Sequence, residues 1–180
     1  TPVLFVNLQP EMQFLVDTQI VNKILVMNTC AIEANNLRVE IALPPNVSFA
    51  GAQISPSTVT ATNVVWDFHT INQAFGPLQD MDGDGSIDDL PPRQVFEFWV
   101  TNNVDYCAPL TELNLRASYG CYGDDCQVTP WDTAGYESIS GSLVTQATFP
   151  VTNELCGTSL VVYSVRNSGL TVDYDVNARQ

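Results

Sequence analysis

An all-β fold, built as an antiparallel sandwich or barrel, is predicted by three observations. Apolar residues alternate with period two along most of the chain, the alternating stretches are short, and clusters of Pro, Gly, Asn and Ser separate them. No stretch shows convincing helical periodicity.

The alternation places individual side chains. In LRVEIAL, Leu37, Val39, Ile41 and Leu43 share one face, and Arg38 and Glu40 take the other. TELNLRASY repeats this with Leu113, Leu115, Ala117 and Tyr119 on the apolar face. QVFEFWV sets Phe96, Phe98 and Val100 against Val95 and Trp99, so both faces of this strand are expected to be covered. Further strands are expected at VLFVNL, MQFLVD, NKILVMN, VSFAGAQI, NVVWDF, SLVTQATF, SLVVYSV and TVDYDVNA. Trp66 and Trp99 fall within these patterns and are read as core residues.

A chain of 180 residues suggests one domain, or one domain with a small appendage. Twenty acidic residues against six basic ones give a net charge of −14, which repels phosphate backbones and anionic lipid surfaces. Nucleic-acid binding is therefore not expected, and no apolar run is long enough for membrane insertion. Cations are the natural counter-charge. Because Thr1-Pro2 does not open a signal peptide, a mature or excised segment is expected.

The acidic residues concentrate in DMDGDGSIDD, residues 80–89. Asp80, Asp82, Asp84 and Asp88 occupy positions 1, 3, 5 and 9 of a calcium loop, with Gly85 at the sixth position, where the chain must turn sharply. Ser86 offers its backbone carbonyl at position 7. Pro91 stands where a helix-loop-helix calcium site has a bidentate Glu, so Asp89, or water with a distant residue, must complete the shell. Hard carboxylate donors favour calcium, with magnesium second because of its stricter octahedron. The ion is expected to pin an inserted loop; a bridging role toward sugar hydroxyls or a neighbouring subunit is the alternative.

Five cysteines leave an odd thiol. Cys121 and Cys126 in CYGDDC are close enough to close a small disulfide loop, with Cys30 and Cys107 as further disulfide candidates. Such a bond implies an oxidising compartment. His69, the single histidine, has no nucleophile signal around it and is read as a surface or strand-end residue. Trp131 lies in a polar stretch and, with Tyr122 and Tyr136, forms a candidate ligand platform for a glycan or protein.

Two segments share a plan: LVMNTCAIEANNLRVEIAL and YSVRNSGLTVDYDVNAR each run strand, Asn with Thr or Ser, turn, strand. This predicts a sandwich repeat at 1–120 with its core at 12–120, a Cys-bearing connection at 121–157, and the opening strands of a second repeat, or a donor strand, at 158–180.

In the order VMNTCAIEANNLRVEIALPPNVSFAGAQIS, NVVWDF, DLPPRQVFEFWVTNN, LNLRASYG, the chain resembles the immunoglobulin-like "conserved repeat" domains of bacterial and archaeal extracellular surface proteins. It departs from them by inserting HTINQAFGPLQDMDGDGSID and by its Cys-bearing segment. The resemblance implies an immunoglobulin-like antiparallel β-sandwich, here with a calcium-loop insertion, and an extracellular, non-catalytic role in adhesion, surface architecture or a filament. Neighbouring repeats or second copies would then associate by strand pairing. A calcium-dependent carbohydrate-binding module is the alternative function.

Overall fold

The computed structural model describes residues 1–11, 19–104, 110–120, 127–137, 143–148 and 162–167. The strands MQFLVD and TVDYDVNA expected from the sequence lie outside them. The chain divides into two compact units, Thr1–Ser138 and Ile139–Gln180.

The first unit is a sandwich of two antiparallel sheets. One contains β1 (Leu4–Pro10), β2 (Gln19–Asn28), β7 (Val95–Val104) and β4 (Val47–Ala52), in that order. The other runs β10 (Asp132–Glu137), β8 (Leu110–Tyr119), β3 (Arg38–Ala42), β6 (Asn63–Asp67), β5 (Thr58–Val59), with β9 (Gln127–Val128) also paired to β8. The order β1-β2-β7-β4 is the A-B-E-D order of an immunoglobulin sandwich, and β10-β8-β3 is its G-F-C order. The expected immunoglobulin-like fold is therefore present. What is added is the β5–β6 hairpin beside β3, followed by one helical turn, α1 (Phe68–Ile71), and the acidic loop, all inserted between β4 and β7.

The period-two pattern explains the core. Along β7, Phe96, Phe98, Val100, Asn102 and Val104 are buried while Val95, Glu97 and Trp99 face out. From β8, Leu113, Leu115, Ala117 and Tyr119 oppose them, and Val39 and Ile41 come from β3. Trp66 packs edge-on to Phe98 at 5.0 Å between ring centroids, and Phe68 packs edge-on to Phe96 at 5.1 Å. The Trp66 indole Nε1 donates to the Ile54 carbonyl at 2.8 Å, so burial leaves its polar atom satisfied.

The structure corrects three expectations. Trp99 is 42% exposed, with the Lys23 ammonium 5.8 Å from the centre of its ring, and Val95 is also exposed, so the outer face of β7 is not covered. The sandwich does not end at residue 120, because β9 and β10 pair with β8 and complete its sheet. Asp132 of β10 also accepts from the Leu8 amide at 2.7 Å and from the Asn7 side chain at 3.3 Å, tying the two sheets together along one side. Finally, a short helix is present where none was expected.

In the second unit, β11 (Leu143–Thr148) and β12 (Val162–Asn167) pair as an antiparallel two-stranded sheet. The expected boundary at residue 158 thus falls between two partnered strands.

Replacing Trp66 with Ala should remove the centre of the aromatic cluster and cost about 3 to 5 kcal/mol in denaturant unfolding. The same change at the exposed Trp99 should cost less than about 1 kcal/mol, and equal losses at both sites would contradict this packing.

Candidate functional site: a divided acidic loop

The acidic loop is anchored by its last residues. Leu90 forms a β-bridge with Ala34 and is fully buried, and Asp89 forms one with Gln79. Asn28, buried at the end of β2, donates to the carbonyls of Ile32, Leu90 and Pro91, at 2.7, 3.1 and 3.3 Å. Its own carbonyl accepts from the Cys30 amide. The segment leaving the loop is thus locked onto the sandwich by one amide side chain.

Asp89 is fully buried, yet both of its oxygens are satisfied. Oδ2 accepts from the amides of Met81 at 2.7 Å and Asp82 at 3.1 Å, and Oδ1 accepts from the Asn36 amide at 3.2 Å. Three backbone donors hold this carboxylate and draw the start of the loop against residue 36. Toward the tip, Asp80 accepts from the amides of Gly83 and Gly85, Asp82 from that of Asp84, and Asp84 from that of Ser86. These side-chain turns wind the loop with its carboxylates inward. Gly83 and Gly85 sit at φ of 77° and 93°, in the left-handed region that disfavours a Cβ.

The helical turn brings in a residue the sequence reading set aside. Asp67 caps α1 by accepting from the Thr70 amide, and Asn72 ends it in the left-handed conformation. Asn72 also accepts from the Ile87 amide at 2.9 Å and donates to the Gly85 carbonyl at 3.4 Å, fastening the turn to the loop. His69 is thereby placed with Nδ1 2.9 Å from Asp88 Oδ2 and 3.4 Å from Asp84 Oδ2.

The expected ligand residues therefore fall into two groups, not one ring. Asp80, Asp82 and Asp89 bring carboxylate oxygens within 4.8 Å of one another, and His69, Asp84 and Asp88 do the same. The division follows from backbone geometry: Asp88 and Asp89 are neighbours in an extended segment, so their side chains point opposite ways. Ser86 is buried, and its amide is committed to Asp84.

Burial pushes the Asp88 carboxyl from its ordinary 3.8 up to about 6, against the hydrogen bond with His69, which lowers it; the nearby Asp89 and Asp84 charges add to the rise. The side chain is fully buried, and among the described residues its Oδ1 has no hydrogen-bond partner.

Of the other candidates, Trp131 is exposed, but the Arg116 guanidinium lies 4.3 Å from the centre of its ring, over one face. Arg116 is held there by Glu40, whose Oε2 accepts from Nη2 at 2.7 Å and Nε at 2.9 Å. Tyr136 lies in β10, and Tyr122 falls outside the described residues. Cys30 is a half-buried free thiol, while Cys107, Cys121 and Cys126 lie outside the described residues.

No family model matches the chain, and no curated protein does. Among solved structures, it is similar to the full-length major pilin SpaD of Corynebacterium diphtheriae, with a TM-score of 0.37 and 8% identity over 88% of this chain and 40% of that one. The collagen-binding subdomain of the Enterococcus faecalis surface protein ACE gives 0.37 and 9% over 77% and 98%. A GH20 exo-β-N-acetylglucosaminidase of Vibrio harveyi gives 0.37 and 10% over 70% of this chain and 17% of that one. Likenesses this distant, to enzymes and non-enzymes alike, assign no activity. The immunoglobulin-like fold rests on the strand order.

Replacing Asp89 with Ala leaves three backbone donors to find new partners and should cost about 2 to 4 kcal/mol even in the presence of chelator. Asp82, exposed at the tip, should cost less than about 1 kcal/mol under the same conditions. Urea titrations of the two variants compare them directly.

Proposed function

We propose that the chain is a non-catalytic structural module of an extracellular surface protein, adhesin or filament, braced by calcium at Asp80, Asp82 and Asp89. The observation that carries this reading is the double role of Asp89. Its buried carboxylate ties the loop to the sandwich, and its oxygens lie within 4.8 Å of those of Asp80 and Asp82. An ion there would neutralise the loop's repulsion and fix the whole insertion between β4 and β7, which is a mechanical contribution and not a catalytic one. Asp89 then takes the part left open by Pro91. Extracellular calcium suits a site of modest affinity with oxygen donors only.

We propose further that copies or neighbouring repeats associate by strand pairing through the region 158–180. Supporting this, β12 has a single partner, β11, among the described residues, and an isolated two-stranded sheet is marginal in water. Arg116 over one face of Trp131 leaves less aromatic surface for stacking a sugar, which favours the structural reading over a carbohydrate-binding module.

Calcium at about 100-fold above its dissociation constant should add about 2.7 kcal/mol of stability, visible as a raised melting temperature that chelator reverses. A melting curve unchanged across millimolar calcium would remove the bracing role. Electron microscopy of the purified protein should show filaments or oligomers, and binding on a glycan array that chelator abolishes would point to the carbohydrate-binding function instead.

A further inference from the structure

The second group of ligand atoms differs from the first in chemistry. Asp80, Asp82 and Asp89 offer oxygen only, whereas His69, Asp84 and Asp88 offer one imidazole nitrogen and two carboxylates. Calcium and magnesium take oxygen donors, while imidazole suits zinc and its first-row neighbours. The spacing is near what is needed: a tetrahedral metal about 2.0 to 2.2 Å from each donor holds neighbouring donors about 3.3 to 3.6 Å apart; His69 Nδ1 stands 3.4 Å from Asp84 Oδ2, and its 2.9 Å hydrogen bond to Asp88 Oδ2 must open by about half an ångström.

A plain histidine–aspartate pair would account for only part of this arrangement. It satisfies Asp88 Oδ2 but leaves Oδ1 of the same fully buried carboxylate without a hydrogen-bond partner among the described residues. Such an oxygen is costly unless something else meets it. His69 and Asp84 are each about a third exposed, so a cation from solvent can reach the group.

We propose that His69, Asp84 and Asp88 form a second cation site, one that takes a borderline transition metal such as zinc and is separate from the calcium group on the other side of the 88–89 segment. Binding replaces the hydrogen bond between Nδ1 and Asp88 Oδ2 with bonds to the metal; the proton held there moves to Nε2, or leaves to solvent where Nε2 already carries one, so that the ring binds as neutral imidazole. Three protein donors leave the remaining positions to water or to a ligand from a neighbouring molecule. Because His69 comes from α1 and the carboxylates from the loop, the metal would cross-link two parts of the insertion.

One histidine in the whole chain makes the test direct, since its imidazole Cε1–H gives a single, unambiguous proton NMR signal. The intact protein is titrated with zinc in excess calcium. The expected result is a shift of that signal that saturates at one equivalent, with calorimetry giving affinity about tenfold or more weaker in His69→Gln, Asp88→Asn and Asp84→Asn. An unmoved signal, variants that bind zinc as tightly as the parent, or calcium that abolishes the shift would each overturn the proposal. If Asp88→Asn loses the dispersed spectrum of a folded protein, the more exposed Asp84→Asn carries the comparison. Failure of calcium to stabilise the protein would leave the zinc signal unaffected, so the two sites succeed or fail separately.

Discussion

The insertion between β4 and β7 depends on the burial of one charged side chain. An ionised carboxylate removed from water is tolerated only when its oxygens are met by donors, and Asp89 is met by the amides of residues 36, 81 and 82. That requirement leaves the loop few alternatives. Its start must come back to its end, its end must lie along residues 34–37, and Leu90 must then enter the core beside Ala34. Once the segment is extended, Asp88 faces the other way, toward α1. The two ligand groups therefore result from one hydrogen-bonding constraint followed by strand geometry.

Electrostatics gives this region its character. The whole chain carries a net charge of −14, and two aspartates of the loop are fully buried at adjacent positions. They are treated differently. Asp89 has a complete set of backbone donors, while Asp88 relies on His69 for one oxygen and has its carboxyl pushed upward by burial. A carboxylate with a full set of donors and one in need of a counter-charge thus sit back to back.

Much of the fold was legible because a buried strand writes its orientation directly into the sequence. Val39, Ile41, Leu113, Leu115, Ala117 and Tyr119 are buried as their alternation requires, and the expected β1, β2, β4, β6 and β7 are all present. Trp99 was misread because periodicity separates two faces without saying which of them is covered. The edge strand β10 escaped notice because DTAGYE has little apolar alternation; its place is set by pairing with β8. At the site, the loop carboxylates were legible from their spacing. Their division was not, since it depends on the direction of a segment that only tertiary contacts make extended. His69 was missed because its role depends on a helix of four residues, too short to show a period. The signal was in its ends: Asp67 and Asn72 are a favoured N-cap and a tolerated left-handed terminator, and together they mark out one turn.

The bulge between Phe49 and Gly51 bears on how such modules can join. An unpaired strand margin is an invitation to any passing extended chain, and a sandwich has four of them. Here β4 is distorted by that irregularity, β5 is only two residues long, and β1 and β10 are stitched to each other through Asp132. The sandwich is therefore poorly suited to recruiting strangers along its rims. The strand pairing proposed above would then use the short sheet of the second unit, β11 and β12, and leave these margins alone.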